Sequence, residues 1–498
     1  MKSLVFSHTA AWPIHHAESI EIALSERNLG NEVVFLSCTG SLKTCPVFAT
    51  PTKKNCNVCC AQTSYTKSKI LPSEIELIDL DIQKHHYSYQ QFNSINDLKS
   101  FELHKVPFGN MVYSTITTEL KDSFFDVTKH KDKINILLKN AIGLYLFGIK
   151  IIKKNSIDQV YVWNGRRSCD GPLVYAAKHS GIKYSTYIAG GSYNSILVRQ
   201  NCLTVQDIPA AKHDLQEVIY KIKNNIDRSS ITKSANNYFN FTSGKSSSDD
   251  INHVGFYQFS KNFIKTDKSK ISAHKGKRVI AVFTGTYSEF AGVPGYDDPD
   301  NFCNNFYEGV SFIQENLNRI PNAELHIRWH PNSRSLRGNE REKLVNIVER
   351  GRQIDNVYHI PPESNFNTYD LIHAADYCIG FGTSVSIEAC LYGKPTIFIG
   401  NNIFEDLDCF YKPNSYDELI ELLNTNLKVK SFDHALAWGY YFSNFGSQKY
   451  KHLIQQKRGT FYYKGRRVAN LRFSIRMFLG RVKRFILNFQ VNFKIWKA

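Results

Sequence analysis

The chain reads as an α/β protein of two Rossmann-like doubly wound domains facing a central cleft, with a basic amphipathic helical tail at its C-terminus. Three observations predict this. Its 498 residues are too many for one hydrophobic core and enough for two of ordinary size. Short apolar runs alternate with helical patterns in two blocks, the signature of parallel sheets wound by crossovers. Polar turns follow the strands, so ligand-binding loops are expected at the carboxyl ends of the sheets. Hydrophobic residues make up 42% of the chain and charged residues 21%, the balance of a folded, soluble protein.

The first domain is predicted over residues 1–228. It opens with a strand at 3–7, a polar loop, a helix at about 17–27 and a strand at 32–38. Gly30 stands where a helix stop belongs. A cysteine-rich loop and a polar region rich in Lys, Tyr and Ser lead to a helical pattern at 131–154. The block closes with a strand at 159–165, a helix at 171–179, Gly181 and a strand at 183–191. Residues 229–277 hold SSSDD and several lysines without periodicity, which predicts a linker. The second domain, 278–463, alternates strands at 278–284, 324–330, NVYHI, YCIGF and PTIFIG with helices near 305–318, 341–350, 368–375 and 385–392.

Within that block, YCIGFGTSVSIEACLYGKPTIFIG places Thr383, Ser384 and Ser386 where a helix begins and Glu388 in its first turns. Free N–H groups and partial positive charge at a helix start hold a phosphate. A carboxylate one turn further in accepts hydrogen bonds from a ribose. This is the layout of a nucleotide-sugar site, although SIEA also reads as a capped helix start with a solvated Glu. Upstream, IRWHPN and the residues after it set Arg328, His330 and Arg334 around one turn, a set of charges able to offset that of a leaving phosphate without a bound metal. The DDPD at 297–300 lies in a long loop rather than at a strand end and is not expected to hold a cation.

In the first domain, a His of near-neutral pKa or a carboxylate in a turn could deprotonate a hydroxyl. His15, His16 and Glu18 follow the first strand, just before its helix, and Asp170 follows the strand of WNGRRSCDG. A helix-capping Glu18 and a packed His15 are the competing reading. Arg166 and Arg167 either bind an anionic acceptor or a donor phosphate, or sit in solvent.

Five of the eleven cysteines fall within 23 residues. Cys56 and Cys59 have the CxxC spacing, and Cys45, Cys56, Cys59 and Cys60 are the candidate ligands of a structural zinc or iron centre. Only one close pair is present where such sites usually have two, so reduced thiols in a loop are the alternative. No cofactor is required for the expected chemistry.

The net charge is +17, and residues 464–498 alone carry ten Lys and Arg with no Asp or Glu, so without them it falls to +7. Apolar residues from Val468 to Phe493 recur there at steps of three and four, with basic residues between them. Such a helix suits an anionic membrane surface. Packing across the domains and nucleic-acid binding are the competing readings, and no nucleic-acid motif appears elsewhere. The N-terminal apolar run is shorter than a signal peptide's core, and the longest apolar stretch, 141–149, falls short of the roughly 20 residues that span a bilayer. A cytoplasmic protein, peripheral on the inner face of the cytoplasmic membrane, is expected.

Taken together, FTGTYSEF (283–290), IRWHPN (327–332), NTYDLIHAADY (367–377) and FGTSVSIEACLYGKP (381–395) resemble the donor half of GT-B glycosyltransferases. More specifically they resemble the bacterial capsule and surface-polysaccharide biosynthesis proteins with a His-Pro motif. The likeness extends over most of 278–400, and more loosely to WNGRRSCDGPLVYAAKHSGI (163–182) in the first half. It implies that His330 contacts the donor phosphates and that Thr383, Ser384 and Ser386 complete the phosphate cradle. Glu388 would hold ribose or sugar hydroxyls, and Thr284, Thr286, Glu289, Arg328 and Asn332 would line the donor site. The implied activity is transfer of a sugar from a nucleotide-sugar donor to a capsule or O-antigen acceptor, polysaccharide or lipid-linked. A CDP-polyol phosphotransferase of surface-polymer synthesis and a non-catalytic assembly protein of the same fold are the alternatives.

Overall fold

The apolar runs at 3–7 and 159–163 are buried along nearly their whole length, as strands covered on both faces must be. They lie side by side in the first sheet. The computed structural model describes residues 1–42, 45, 53–82, 87–191, 194–243, 276–296, 302–444, 448–457 and 459–468, and the chain divides into two units.

Unit 1 begins with β1 (Lys2–Ser7), α1 (Pro13–Asn28), β2 (Glu32–Ser37), α2 (Lys53–Lys69) and β3 (Glu76–Asp79). It continues through α3 (Ile95–Lys99), α4 (Phe108–Leu120), α5 (Lys131–Lys154), β4 (Gln159–Trp163), α6 (Gly171–His179), β5 (Lys183–Ala189) and β6 (Ser195–Gln200). Strands β3-β2-β1-β4-β5 are parallel in that order, and β6 is antiparallel to β5. One face of the sheet, with Leu4, Phe6, Val34, Leu36, Val160 and Val162, packs into a core shared with residues of α4, α5 and α6. By length and composition α5 is apolar enough to cross a membrane, but 67% of its most apolar window is buried inside the protein, as in a core helix.

Unit 2 contains α7 (Ile208–Lys223), α8 (Arg228–Thr242), β7 (Arg278–Thr284), α9 (Phe306–Glu315), β8 (Ala323–Arg328), α10 (Gly338–Gly351) and β9 (Val357–Ile360). It continues through α11 (Thr368–Ala374), β10 (Tyr377–Phe381), α12 (Val385–Leu391), β11 (Thr396–Ile399), α13 (Tyr416–Asn424) and α14 (Asp433–Asn444). Its five strands are all parallel, in the order β11-β10-β7-β8-β9. Val279, Ala281, Phe283 and Cys378 of the sheet pack on Leu371, Ile372 and Ala389 of α11 and α12.

The chain then returns to unit 1. β12 (Gln448–Lys449) pairs antiparallel with β6 as the seventh strand, and β13 (Ile454–Lys457), β14 (Thr460–Tyr463) and β15 (Arg466–Arg467) form a small antiparallel sheet. Glu21 of α1 fixes this return: its carboxylate accepts the backbone N–H groups of Lys451 (2.6 Å), His452 (3.2 Å) and Leu453 (2.8 Å). Gln62 and Tyr65 of α2 donate to the carbonyls of Val468 (2.7 Å) and Arg467 (3.0 Å).

Several expectations are corrected. The first helix begins at Pro13, whose fixed φ suits the first helical position, so His15 and His16 are inside the helix rather than before it. Glu18 therefore lies in the helix body and caps nothing. The cysteine-rich stretch is not wholly a loop, because Cys56, Cys59 and Cys60 are on α2. The start of the expected linker is helix α8, which packs with α7 on α14 and is tied there by Arg228 to Asp433 at 2.7 Å. Unit 1 thus ends its first passage at Asp207, before the predicted boundary at 228, and the described strands between 448 and 468 belong with it rather than with 278–463. The remainder of the linker, the DDPD stretch and the tail from 469 onward lie outside the described residues.

Candidate functional site

In unit 2 the strand order reverses between β7 and β10, and the loops leaving these neighbouring strands diverge there. Register places Thr284 beside Phe381 and Phe283 beside Arg328, so the turns after β7, β8 and β10 emerge along one edge. Thr284 Oγ1 accepts the backbone N–H of His330 at 3.1 Å, tying two of the turns together. His330 Nδ1 accepts the backbone N–H of Asn332 at 3.1 Å. Loss of water around the ring lowers its pKa, against the pull of Glu289, so the imidazole is neutral at pH 7. A neutral ring whose Nδ1 accepts must carry its proton on Nε2, which is then a donor. Asn332 Nδ2 donates to Glu289 Oε1 at 2.8 Å, so these two residues brace each other.

Arg328 is 4% exposed and donates to the carbonyls of Pro361 and Ser364. Burial lowers its pKa only to about 10, so it contributes fixed positive charge more than free N–H groups. Glu363, which sequence reading missed, sits in the field of Arg328, Arg334 and Arg341. Its own burial raises its pKa against the pull of all three.

The turn after β10 needs Gly382 in the left-handed region at φ 57°, and Asn402 Nδ2 holds its carbonyl at 3.0 Å. Thr383 and Ser384 lead into α12, which is seven residues long, and the Ser384 side chain makes no capping bond. Ser386 and Thr286 each bury a hydroxyl without a partner. Ser386 fits only because residue 380 is glycine, since a Cβ there would stand 1.7 Å from its Oγ. Glu388 does not stand open for a ribose. It is 2% exposed, accepts the hydroxyl of Tyr369, and is raised by burial to a pKa of about 7.

The strand order of unit 1 reverses between β1 and β4. There the sequence candidates separate. His16 has both ring nitrogens engaged, with Ser7 Oγ at 3.1 Å and Thr66 Oγ1 at 2.7 Å, and burial lowers its pKa to about 3, which is the environment of a packing residue. His15 lies against Trp12 and Trp163, with ring centroids 4.3 and 4.5 Å away, and its Nδ1 is 3.0 Å from Glu18 Oε2. Glu18 is fully buried, its other oxygen has no partner, and burial raises its pKa. Asp170 is fully buried and accepts the backbone N–H of Arg167 at 2.7 Å. Burial, opposed by Arg167, holds its pKa at about 7. Neither arginine sits in solvent. Arg166 donates to the carbonyl of Ala291 at 3.0 Å, and the Arg167 guanidinium lies 5.3 Å over the ring of Trp163.

The structure adds His8, at the end of β1, which sequence reading passed over. It is 3% exposed, stacks on Phe6, and places Nε2 3.9 Å from Asp170 Oδ2. A signal existed in its position, one residue past a buried strand. Its partner 162 residues away was not visible. Cys45, Cys56, Cys59 and Cys60 are partly buried. Among the described residues the group of His, Cys and acid side chains with ligand atoms in mutual reach is His8, Cys169 and Asp170, all buried.

These features define an α/β protein of two units, each built on a sheet with a parallel core and with polar side chains gathered where its strand order reverses. Similar solved structures are a KpsC β-Kdo 2,4 transferase of Thermosulfurimonas dismutans, a UDP-GlcNAc 2-epimerase of Neisseria meningitidis bound to UDP-GlcNAc, and MurG of Acinetobacter baumannii. The first is 13% identical with a TM-score of 0.36, covering 64% of this chain and 86% of that one. The second is 13% identical with a TM-score of 0.28, covering 90% and 98%. The third is 10% identical with a TM-score of 0.27, covering 90% and 96%. At these scores the likeness is remote. No protein-family model matches the chain, and no curated protein matches it.

Proposed function

We propose that this chain is a glycosyltransferase that moves a sugar from a nucleotide-sugar donor to a surface-polysaccharide acceptor, polysaccharide or lipid-linked. In this reading unit 2 is the donor-binding unit. The observation that carries the reading is His330. In the turn after β8, next to the switch strand β7, its backbone hydrogen bond leaves a neutral ring with a donor Nε2, and the charge of Arg328 acts on it. The leaving nucleoside diphosphate gathers negative charge as the sugar departs, and fixed cations with an oriented N–H donor stabilise that charge. No cofactor is needed for this step.

A panel of nucleotide sugars screened by thermal shift tests the reading, because a ligand bound only to the folded state raises the melting temperature by mass action. One donor class is expected to raise it and then to release a nucleoside diphosphate when acceptor is added. Release of CMP would assign a polyol phosphotransferase instead, and no shift with any donor would remove the enzyme reading.

We further propose that the basic tail holds the enzyme on the inner, anionic face of the cytoplasmic membrane. Each basic residue near such a surface contributes on the order of 1 kcal/mol, and salt screens it. Because Arg467 and Val468 are tied to α2, the informative truncation removes only 469–498. It is expected to abolish binding to vesicles containing phosphatidylserine while leaving the melting temperature within a few degrees of the full chain. Unchanged vesicle binding would overturn the membrane reading.

A further inference from the structure

Trp329, the residue before His330, is fully buried, and the one polar atom of its side chain is an indole Nε1–H that can only donate. It donates to Nδ1 of His359 on β9 at 3.1 Å, and the two rings lie 12° apart in plane with centroids at 6.0 Å. Burial, with Arg352 adding to it, lowers the pKa of His359 to about 4. The ring is therefore neutral at pH 7, and Nδ1 keeps the lone pair that the bond to Trp329 needs. Its proton is on Nε2.

The other side of the imidazole is walled in. His359 Nε2 is buried without a hydrogen-bond partner, and so is Oε1 of Gln314 on α9. Gln314 is itself fully buried, and its amide nitrogen donates to the carbonyl of Ile347 at 3.1 Å. Both orphaned atoms press on Gly351, the last residue of α10, where a Cβ would stand 2.2 Å from His359 Nε2 and 2.7 Å from Gln314 Oε1. The ring is thus bounded by Trp329 on one side and by Gly351 and Gln314 on the other.

Three bonds locate the turn that carries His330. The backbone N–H of Trp329 donates to the carbonyl of Ile360 at 3.2 Å, that of His330 donates to Thr284 Oγ1 at 3.1 Å, and the Trp329 indole donates to His359. The first two fix the main chain, and the third fixes the side chain beside it from a position thirty residues away. Resting on the glycosyltransferase reading, we propose that His359 is a positioning residue of the donor site: without touching the ligand, it holds the Trp329 indole and so keeps His330 where its Nε2 can meet a phosphate. A buried indole that lost this acceptor would have to turn toward another, and the main chain of His330 would move with it.

The test separates the two ring nitrogens on the full chain, because an Asn amide oxygen reaches the place of Nδ1 whereas a Gln amide reaches that of Nε2. NMR of protein labelled at Trp and His follows the Trp329 indole N–H and the His330 ring, assigned by their loss in Trp329→Phe and His330→Ala. Calorimetry with UDP, GDP and CMP reads nucleotide affinity. In His359→Gln the indole N–H should lose its hydrogen-bonded shift, the His330 signals should move, and affinity for the nucleotide that binds should fall by about fivefold to tenfold. His359→Asn should keep all three close to wild type, which a packing role would not give, since Asn fills less of the ring's space than Gln. Gly351→Ala, which pushes on His359 without altering it, should act like His359→Gln. Equal losses in His359→Asn and His359→Gln would reduce His359 to packing and overturn the inference, as would unchanged His330 signals in His359→Gln. A wild type that binds none of the three nucleotides would count against the glycosyltransferase reading alone, and the His330 signals would then decide the inference by themselves.

Discussion

Replacing His330 by Ala should weaken nucleotide-sugar binding by about 10- to 100-fold, the loss of one hydrogen bond to a charged phosphate at about 1.5–3 kcal/mol. The melting temperature should hardly change, because the residue is half-buried in a turn. His330→Gln should recover much of the affinity, since its amide can present an N–H near the place of Nε2. The pH dependence carries a sign. The folded pKa of His330 lies below the usual value near 6.5 because burial disfavours the charged ring. Lowering the pH through 6.5 should therefore not strengthen donor binding, as it would if the ring acted as a cation. Calorimetry over pH 5.5–8 reads both effects, and unchanged affinity in His330→Ala would remove the donor-site assignment.

Replacing Glu21 by Ala should destabilise unit 1 by about 2–4 kcal/mol. Three backbone N–H groups, at Lys451, His452 and Leu453, lose the carboxylate that accepts them. That of Leu453 is buried where water cannot replace it, and an orphaned buried donor costs about 1–3 kcal/mol. Glu21→Gln keeps one acceptor oxygen and should lose less than Ala. The midpoint of urea unfolding, followed by a probe in unit 1, measures the order wild type, Gln, Ala. A midpoint in Glu21→Ala equal to wild type would show that β12 and the strands after it hold their place without the clamp. The effect should be separable from chemistry, because Glu21 lies on α1 facing the returning chain and not the turns after β1 and β4.

Local pattern determined much of this protein. The apolar runs that become β1, β2, β4, β5 and the five strands of unit 2 are visible as strands because each is short, nearly continuous and closed by a polar turn. The helices at 131–154 and 171–179 are legible from end to end. The alternation of these pieces specifies parallel sheets, and parallel sheets place their polar turns at one edge. That is why Thr284, His330, Thr383 and Asp170 could be named as candidate site residues before their neighbours were known.

Tertiary structure decided which buried groups lie together. Asp170 is beside His8, Glu388 is beside Tyr369, and Glu363 is in the field of three arginines. None of these sets follows from spacing along the chain, because each is made by strand order. Helix α2 was hidden because its polar and apolar residues follow no helical stripe. The return of residues 448–468 to unit 1 was hidden because two-residue strands and a carboxylate clamp leave no periodic trace. Periodicity is written by the face a segment turns to its immediate surroundings, so the sequence by itself determined the elements and the sheet edge at which the polar turns gather. The partner of each buried charge is set by folding distances of tens to hundreds of residues, and only the assembled sheets could decide it.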